Sequence, residues 1–406
     1  MNDMATRVSL YGLFGIGNLG NEGSLTAFVD YLRANHPEAR LTCMSADPVA
    51  VSDEHGLAGT RLMAHFGRPG SHASSLRKLW GRVVDIPRSL RLAGETDVLV
   101  VPGMGVFEET LGVRPWALPY WLFLTVAACR LRGRKIAMVS VGAERPANAA
   151  TRCLFRWTLR LATFRSYRDH LSRDAAIAMG VRLPGDVRPD IAFALPTPAP
   201  TPVREGHVAV GVMAYFGSHD DPVRGAATWE RYVDEMAEFV GQIIDSQGTV
   251  TLLIGDRVDH DTAVEVENRV RQTHPDLGPG TLSVSPATTL EALMTEMASA
   301  QAVVASRFHN IVCALRMAKP TVSVAYAAKN DELMRDFGLG TACQSLDCLD
   351  VQLLSNQLNQ VLREHSQREV VMRATLSRYE AELDAQFRQI SRQILGQTPD
   401  RQSVMT

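Results

Sequence analysis

The stretch Ala302–Met334 reads AVVASRFHNIVCALRMAKPTVSVAYAAKNDELM and contains a complete strand–helix–strand unit. The apolar run Ala302–Ala305 predicts a buried strand, and Ser306 is a favourable N-cap for the helix that follows it. Pro320 ends that helix, and the β-branched run Thr321–Ala325 predicts the next strand. Because neighbouring parallel strands need a crossover of this kind, the stretch predicts a parallel α/β sheet.

The same alternation of apolar runs and helical patterns fills most of the chain. Further strands are predicted at Val8–Tyr11, Leu41–Ala46, Asp97–Val101, Ile136–Val141, Phe164–Tyr167, Arg188–Ala194, Val208–Met213, Val250–Ile254 and Leu282–Ser285. Helices are predicted at Ser24–Asn35, Leu76–Val84, Thr228–Asp245, His260–Thr273, Thr289–Ser299 and from Val351 to Ile394, and residues 52–75 are predicted to be a loop.

A proline-rich stretch, PTPAPTP at Pro196–Pro202, divides the 406 residues into two halves and favours a stiff, extended linker. We expect an N-terminal domain over 1–196, a linker over 197–206, a C-terminal domain with the C-terminal helices over 207–395, and a flexible tail over 396–406. The predicted fold class is α/β, with two Rossmann-like domains facing across a cleft in a GT-B-like arrangement and mostly parallel sheets. Ligands of such sheets bind at the carboxyl ends of the strands, so the cleft is the expected site.

The composition limits the classes of partner. Apolar residues make up 46% of the chain, which is ordinary for a globular protein, and the net charge is −2. This charge gives no general attraction to nucleic acid, so no nucleic-acid partner is expected. Any site for an anion must therefore be local.

The cysteines and the N-terminus indicate a compartment. Six cysteines occur without a CxxC pair or a His/Cys ligand spacing, which fits a reducing environment and predicts no metal site. The N-terminus lacks the pattern of a signal peptide, so we expect a cytoplasmic protein. The apolar segment Pro115–Cys129 is too short to span a bilayer and is expected to be a buried helix. The basic, amphipathic helix at Leu76–Val84 leaves open a peripheral contact with the inner face of the membrane.

Arg307 and His309 lie in the first turn of the helix after Ser306, on either side of the apolar Phe308. The first turn of a helix has unpaired backbone N–H groups and the positive end of the dipole, and both favour an anion. A guanidinium and an imidazole at such a position predict a phosphate or carboxylate pocket. In the alternative interpretation, Arg307 pairs with a carboxylate of its own domain and His309 satisfies a loop carbonyl.

Four elements in order resemble the polysaccharide pyruvyl transferase family. The S-R-x-H element of Ser306–His309, followed by Pro320, a strand and Tyr326-x-x-Lys329, resembles the family's C-terminal signature. The stretch YGLFGIGNLGNEG at Tyr11–Gly23 is similar to the family's opening loop. SYRDHLS at Ser166–Ser172 is similar to its R-D-x-x-S element, and RPDIAF at Arg188–Phe193 to its P-D-x-x-F element. PGMGVFEE at Pro102–Glu109 departs from the family, which often has a Gly-Gly-rich turn there, so the acceptor pocket is expected to differ.

The resemblance implies a phosphoenolpyruvate donor, no other cofactor, and transfer of its pyruvate group to sugar hydroxyls of a cell-surface polysaccharide or its precursor. The acceptor is then a sugar or a lipid-linked oligosaccharide. The Arg-x-His element is then the donor site, with His309 as the proton donor to the methylene carbon. The expected donor-binding residues are Arg307, Phe308, Lys329 and Arg168, and the expected acceptor-binding residues are Asn18, Gly20, Asn21 and Glu22. Two of these assignments have structural alternatives, an ion pair for Arg168 with Asp169 and N-capping for Asn21 and Glu22. Glu108, Glu109 and Glu144 are candidates for a base on the acceptor side.

Three other functions fit parts of the sequence. Gly15, Gly17 and Gly20 match the dinucleotide-binding spacing, but Glu22 would stand where the pyrophosphate belongs and Asp47 is too far along the chain for the ribose. A glycosyltransferase using a nucleotide sugar would need a nucleoside-binding carboxylate, for which Glu291 is the candidate. A non-catalytic sugar-binding module would leave Arg307 and His309 without a role.

Overall fold

The computed structural model describes residues 5–63, 75–108, 115–182, 185–217 and 222–396, without the side chains of 75–81 and 222. The chain forms two compact units. The first unit comprises the described residues of Met1–Ile16, Ser24–Ala194 and Ala381–Thr406. The second unit comprises those of Gly17–Gly23 and Leu195–Glu380.

The first unit is built on a sheet of seven parallel strands in the order β3-β2-β1-β4-β5-β6-β7. Its strands are β1 Arg7–Tyr11, β2 Arg40–Ser45, β3 Ala58–Arg61, β4 Val98–Pro102, β5 Lys135–Val141, β6 Phe164–Tyr167 and β7 Asp186–Val187. Its helices are α1 Leu19–Asn35, α2 Pro48–His55, α3 Ser75–Gly94, α4 Leu118–Leu131, α5 Ala149–Leu161 and α6 His170–Ala178, of which α1 begins in the second unit. Every residue of β4 is buried, as its continuous apolar sequence predicts for a strand covered on both faces.

The second unit has a sheet of six parallel strands in the order β10-β9-β8-β11-β12-β13. Its strands are β8 His207–Gly211, β9 Thr249–Leu253, β10 Leu282–Val284, β11 Ala302–Ala305, β12 Thr321–Ala325 and β13 Cys343–Ser345. Its helices are α7 Pro222–Asp245, α8 His260–Thr273, α9 Leu290–Ala298, α10 Phe308–Arg316, α11 Ala328–Asp336, α12 Val351–Arg363 and α13 His365–Ile390, of which α13 ends in the first unit. The strand order reverses between β8 and β11, and such a reversal is where open α/β sheets bind their ligands.

Two predicted elements are wrong. The segment Arg188–Ala194 is not a strand, because only Asp186–Val187 pairs with the sheet and Ile191–Ala194 forms a 3₁₀ turn. The Asp190 carboxylate accepts the backbone N–H of Ala192 at 2.9 Å, which favours the turn. Residues 52–75 are not all loop, since they include the end of α2 and all of β3.

Two short segments pack with the unit on the other side of the predicted domain boundary. Gly17–Gly23 belongs to the second unit, and Ala381 onward belongs to the first. In the first unit, the Phe387 ring stacks on Tyr31 with centroids 4.4 Å apart, and Gln386 Nε2 donates to Ser140 Oγ at 3.0 Å. The predicted tail 396–406 lies outside the described residues except for Gly396.

The apolar segment near Pro115 forms α4, a helix of 14 residues that buries one face. Across the described ranges, no helix is both long enough and apolar enough to cross a membrane. Residues 196–206 have no helix or strand and are mostly exposed, as the proline-rich sequence predicts.

Candidate active site

Three loops at the carboxyl edge of the second sheet are tied together by one buried carboxylate, that of Asp259. Its Oδ1 accepts the backbone N–H of Ala214, after β8, at 2.9 Å. Its Oδ2 accepts the N–H groups of Asp256 and Gly255, after β9, at 3.0 and 3.3 Å. Asp259 is completely buried, and these bonds replace the water that a buried charge loses.

The third loop is tied by Arg307, which follows β11. Its Nε donates to Asp259 Oδ2 at 2.9 Å and its Nη2 donates to Oδ1 at 2.5 Å. Burial alone would lower the pKa of Arg307, but the hydrogen bonds and charge of Asp259 outweigh it, and the pKa is raised. The pairing anticipated by the alternative interpretation is therefore present. It occupies one edge of the guanidinium, and within the described ranges Nη1 makes no hydrogen bond.

Helix α10 begins one residue later than predicted, because its N-cap is Arg307 rather than Ser306. Ser306 still belongs to the sheet, because its N–H donates to Gly211 O at 3.1 Å and its Oγ lies 3.2 Å from Tyr232 Oη. Among the described residues, no side chain caps α10. Its first turn is therefore suited to an external acceptor.

The first turn of α1 meets the first turn of α10 at His309. A Cβ on Gly20 would lie only 1.9 Å from His309 Nδ1, so the backbone of Gly20 packs directly on the imidazole. Asn18 is the residue that caps α1, since its Oδ1 accepts the N–H of Asn21 at 3.1 Å. Two helix N-termini thus converge on one histidine, and both contribute a positive partial charge.

Asn18 also attaches the glycine-rich segment to the loop after β9. Its Nδ2 donates to Asp256 Oδ2 at 2.8 Å, and Leu19 N–H donates to Gly255 O at 3.1 Å. Arg257 N–H donates to Gly17 O at 2.9 Å. The sequence placed Asn18 and Gly20 on the acceptor domain, whereas the structure places both in the second unit beside the expected donor residues, because these bonds hold them there.

The same contacts account for the glycines that match a dinucleotide-binding loop. A Cβ on Gly17 would lie 2.9 Å from Arg257 Cβ, and the space at Gly20 is taken by His309. Asp47, the distant candidate for a ribose ligand, instead caps α2 by accepting the N–H groups of Val49 and Ala50. These glycines serve close packing of the protein chain on itself.

Lys329 lies beside the start of α10. Its Nζ is 5.9 Å from the centroid of the Phe308 ring and 5.7 Å from that of Tyr326, within range of cation–π contact. Phe308 is buried, so it acts as an apolar support for the ammonium group. The structure therefore brings together three of the predicted donor-binding residues, Arg307, Phe308 and Lys329, with the predicted catalytic His309.

Arg168 is in the first unit, in an ion-pair cluster, as its structural alternative anticipated. Its buried guanidinium bonds Glu108 and lies 3.4 Å from Asp169 Oδ2 and 3.7 Å from Asp190 Oδ2. A Cβ on Gly142 would lie 2.3 Å from Glu108 Oε1, so the backbone packs tightly on this pair. Glu108, a candidate base, is therefore an ion-pair partner of Arg168.

The remaining acceptor-side candidates are less closely defined. Glu22 is buried in the first turn of α1, Asn21 is half-buried beside it, and Asn18 takes the capping role that had been considered for them. Glu144 is half-buried in the first unit, and Glu109 lies outside the described residues.

The Gly-Met-Gly turn after β4 keeps a glycine-like backbone, since Met104 has φ 66° next to Gly103 at 59°.

Asp259 was missed by sequence reasoning although a local pattern marks it. Asp256 and Asp259 form a capping box, in which each side chain accepts the other's backbone N–H at the start of a helical turn. Acidic residues three positions apart after a predicted strand indicate such a box. Its pairing with Arg307, 48 residues away, has no local signal.

A family model described as polysaccharide pyruvyl transferase matches residues 18–327. The chain belongs to the polysaccharide pyruvyl transferase family. The matched range of this family member includes Asn18–Glu22, Arg168 and Arg307–His309, whereas Lys329 lies just beyond it. A search of curated proteins gave no significant match.

Solved structures similar to this family member share its fold at low identity. A glycosyltransferase from Rickettsia africae ESF-5 has a TM-score of 0.60 at 8% identity, covering 97% of this chain and 100% of its own. The UDP-GlcNAc 2-epimerase of Methanocaldococcus jannaschii has a TM-score of 0.57 at 10% identity, covering 88% and 93%. That of Neisseria meningitidis, solved with UDP-GlcNAc, has 0.54 at 9%, covering 90% and 94%. The predicted α/β fold of GT-B type with two parallel sheets is confirmed.

Proposed function

We propose that this protein transfers the pyruvate group of phosphoenolpyruvate to hydroxyls of a sugar, in a polysaccharide or its precursor, giving a pyruvate ketal and phosphate. The observation that carries the proposal is the meeting of two helix N-termini at His309, with Arg307 and Lys329 alongside. Membership of the pyruvyl transferase family supports the same reaction.

The donor would bind through charge. Phosphoenolpyruvate carries about three negative charges near neutral pH, and arginine, lysine and helix N-termini are suitable partners for its phosphate and carboxylate. Arg307 would offer its Nη1 edge, since Asp259 holds the Nε and Nη2 edge. Lys329 would add a second cation. In this proposal Arg168 has a structural role as the partner of Glu108, Asp169 and Asp190.

The chemistry balances with two hydroxyls of one sugar. A proton from His309 is added to the methylene carbon while the first hydroxyl attacks the adjacent carbon, giving a phosphorylated hemiketal. The second hydroxyl then replaces phosphate, whose C–O bond breaks, and the two hydroxyl protons are accounted for by the new methyl group and by the phosphate. An acid positioned in this way typically contributes about 10²–10⁴-fold to the rate.

The proposal also assigns side chains to the acceptor, which it defines only as a class of molecule. Asn21 and Glu22, in the first turn of α1 next to Gly20, are the side chains that we assign to acceptor hydroxyls, because Gly20 packs on His309. We infer a sugar or a lipid-linked oligosaccharide as the acceptor, and the cytoplasm, at or near the inner face of the membrane, as the place of reaction.

A second candidate is a glycosyltransferase or related enzyme using a nucleotide sugar. It is favoured by the likeness to the Neisseria meningitidis epimerase, which was solved with UDP-GlcNAc. Its nucleoside ligand would be Glu291, which lies half-buried in the first turn of α9. The site gives less support here, because a nucleotide-sugar reaction does not need a proton donor such as His309 at a helix N-terminus.

The two functions are separated by ligand-induced thermal stabilisation. Phosphoenolpyruvate, UDP-GlcNAc and NAD are added separately to the wild type and to Lys329→Gln, since a ligand at 100 times its Kd stabilises by about 2.7 kcal/mol. We expect phosphoenolpyruvate alone to raise the melting temperature of the wild type, and Lys329→Gln to reduce the rise. Phosphate release with a neutral polysaccharide is the accompanying assay. Stabilisation by UDP-GlcNAc but not by phosphoenolpyruvate would contradict the pyruvyl transfer and favour the second candidate.

A further inference from the structure

An exposed aromatic ring, that of Phe216, lies in the loop after β8. Phe216 is 52% exposed, although phenylalanine is usually buried. The ring stacks on Trp229 of α7, with the centroids 6.3 Å apart and the planes 12° from parallel. Trp229 is half-buried, so Phe216 is the more exposed ring of the pair.

Trp229, the less exposed ring of the stack, is held by other side chains of the second unit. Trp229 Nε1 donates to Thr262 Oγ1 at 3.0 Å, and the Arg269 guanidinium lies 6.0 Å from the Trp229 ring centroid. Arg269 is itself bonded to Glu230, Asp234 and Glu265. A side chain fixed in this way loses little conformational freedom when a ligand binds, which is the property of a preformed binding surface.

The stack is close to the candidate active site within the same unit. Phe216 is two residues beyond Ala214, whose N–H donates to Asp259 at 2.9 Å, so its Cα lies within about 7 Å of that of Ala214. Thr262, which bonds Trp229, is one helical turn beyond Asp259 on α8. Both strands that flank the reversal of strand order, β8 and β11, therefore contribute to one region, with Phe216 after the first and Arg307 after the second.

The charges beside Trp229 are mainly negative. The single guanidinium of Arg269 is surrounded by three carboxylates, and those of Glu230 and Asp234 are mostly exposed. A nucleotide base would bring phosphates toward this negative surface, which is unfavourable. A neutral, polyhydroxylated ring has no such penalty, and exposed carboxylates accept hydrogen bonds from hydroxyls.

We propose that Phe216, supported by Trp229, is the surface on which a neutral sugar ring of the acceptor stacks. The C–H face of a pyranose and the exposed aromatic face would both leave water, while the hydroxyls at the ring edge stay available. This assignment rests on the proposed function, since it makes Phe216 an acceptor-binding residue of the same reaction. It adds a saccharide-binding residue that no motif in the sequence indicates.

The test compares Phe216→Ala, Phe216→Tyr and Trp157→Ala with the wild type. Trp157 is the matched control, because it is an exposed aromatic in contact with an arginine, Arg160, in the first unit. Direct binding is measured by saturation-transfer NMR with methyl glucoside, methyl galactoside and methyl mannoside, which needs no donor and no turnover. Steady-state assays give the KM for a neutral acceptor glycan and for phosphoenolpyruvate separately.

We expect Phe216→Ala to abolish saturation transfer and to raise the acceptor KM about tenfold, with the phosphoenolpyruvate KM unchanged. Phe216→Tyr and Trp157→Ala should behave like the wild type. The assignment is overturned if Phe216→Ala leaves both the saturation transfer to the sugars and the acceptor KM unchanged. It is also overturned if Phe216→Ala loses UDP binding rather than sugar binding. The wild type could instead show saturation transfer to the sugars that depends on Phe216, but no stabilisation by phosphoenolpyruvate. That result would contradict the pyruvyl transfer and still support the saccharide-binding surface.

Discussion

The Asp259 carboxylate accepts two hydrogen bonds from the Arg307 guanidinium, from Nε at 2.9 Å and from Nη2 at 2.5 Å. The same carboxylate binds the backbone of Ala214, Gly255 and Asp256. The orientation of Arg307 is therefore fixed by the group that also holds the loops after β8 and β9. In the proposed function, this pair would support the donor site as well as form an ion pair.

Asp259→Asn should lower both stability and donor affinity. It removes the negative charge beside a mostly buried guanidinium and turns an amide N–H toward backbone donors, and breaking a buried pair costs about 3–5 kcal/mol. Urea unfolding and the KM for phosphoenolpyruvate are the measurements. Asp261→Asn is the control, because its fully exposed side chain predicts a change within about 0.5 kcal/mol. Equal stability of the two variants would show that the pair does not hold the loops.

His309→Ala should retain the fold and lose turnover by about 10²–10⁴-fold, since it removes the proposed proton donor. Circular dichroism checks the fold, and phosphate release from phosphoenolpyruvate with an acceptor glycan measures turnover. His260→Ala, at an exposed histidine of α8, is the control and should keep its activity. Normal turnover in His309→Ala would exclude the assignment.

Gly20→Ala should impair catalysis by displacing His309. The new Cβ would meet the His309 ring at 1.9 Å and displace it, and a shift of about 1 Å in a catalytic group can cost about 10²-fold. Alanine favours a helix over glycine by about 1 kcal/mol, so lost helix propensity cannot explain a defect. Gly278→Ala, where the nearest atom is 3.7 Å away, is the control. A Gly20→Ala enzyme with wild-type kcat would mean that His309 has room to move or is not needed.

Acid should destabilise the second unit through His207. Burial and the charge of Arg204 lower the pKa of His207 to about 4, against about 6.5 in an unfolded chain. The unfolded state therefore takes up a proton between these values that the folded state does not. The stability from this histidine is complete above pH 6.5 and decreases by about 3 kcal/mol as the pH falls to 4. Unfolding free energies of the wild type and His207→Gln over this range should converge at low pH. Parallel curves would contradict the prediction.

Arg168→Met should destabilise the first unit by about 3 kcal/mol or more, because it leaves the buried carboxylates of Glu108 and Asp190 without their cation. Arg173→Met is the control, at an exposed pair with Asp174 that contributes at most about 1 kcal/mol. Thermal unfolding and donor KM are measured together. A stable Arg168→Met enzyme with a raised KM for phosphoenolpyruvate would instead restore the donor-binding role that the sequence suggests.

The sequence predicted the sheets well, because their signal is local. Apolar runs such as Asp97–Val101 and Ala302–Ala305 are typical of strands covered on both faces, and the structure has β4 at Val98–Pro102 and β11 at Ala302–Ala305. The prediction at Arg188–Ala194 is wrong because one side chain, Asp190, competes for the backbone and folds it into a turn. Such competition depends on side-chain geometry that apolar patterning does not contain.

The candidate site was predictable in its chemistry but not in its supports. Arg307 and His309 were marked by their position in the first turn of a predicted helix. Their partners Asp259 and Gly20 come from distant parts of the chain and have no counterpart in local periodicity. Arg168 was assigned to the donor through the resemblance of its R-D-x-x-S element to the family, and only the carboxylates around it show that it forms an ion-pair cluster.

The attachment of the glycine-rich segment to the second unit has a consequence for synthesis. Asn18 and Asp256 are separated by 238 residues, yet they form a direct hydrogen bond. At about 5–20 residues per second, a ribosome needs roughly 10–50 s to make the chain between them. The earliest piece of the site to leave the ribosome must therefore stay unassembled until much of the protein has been translated, and an early mispairing of that segment would delay maturation of the enzyme.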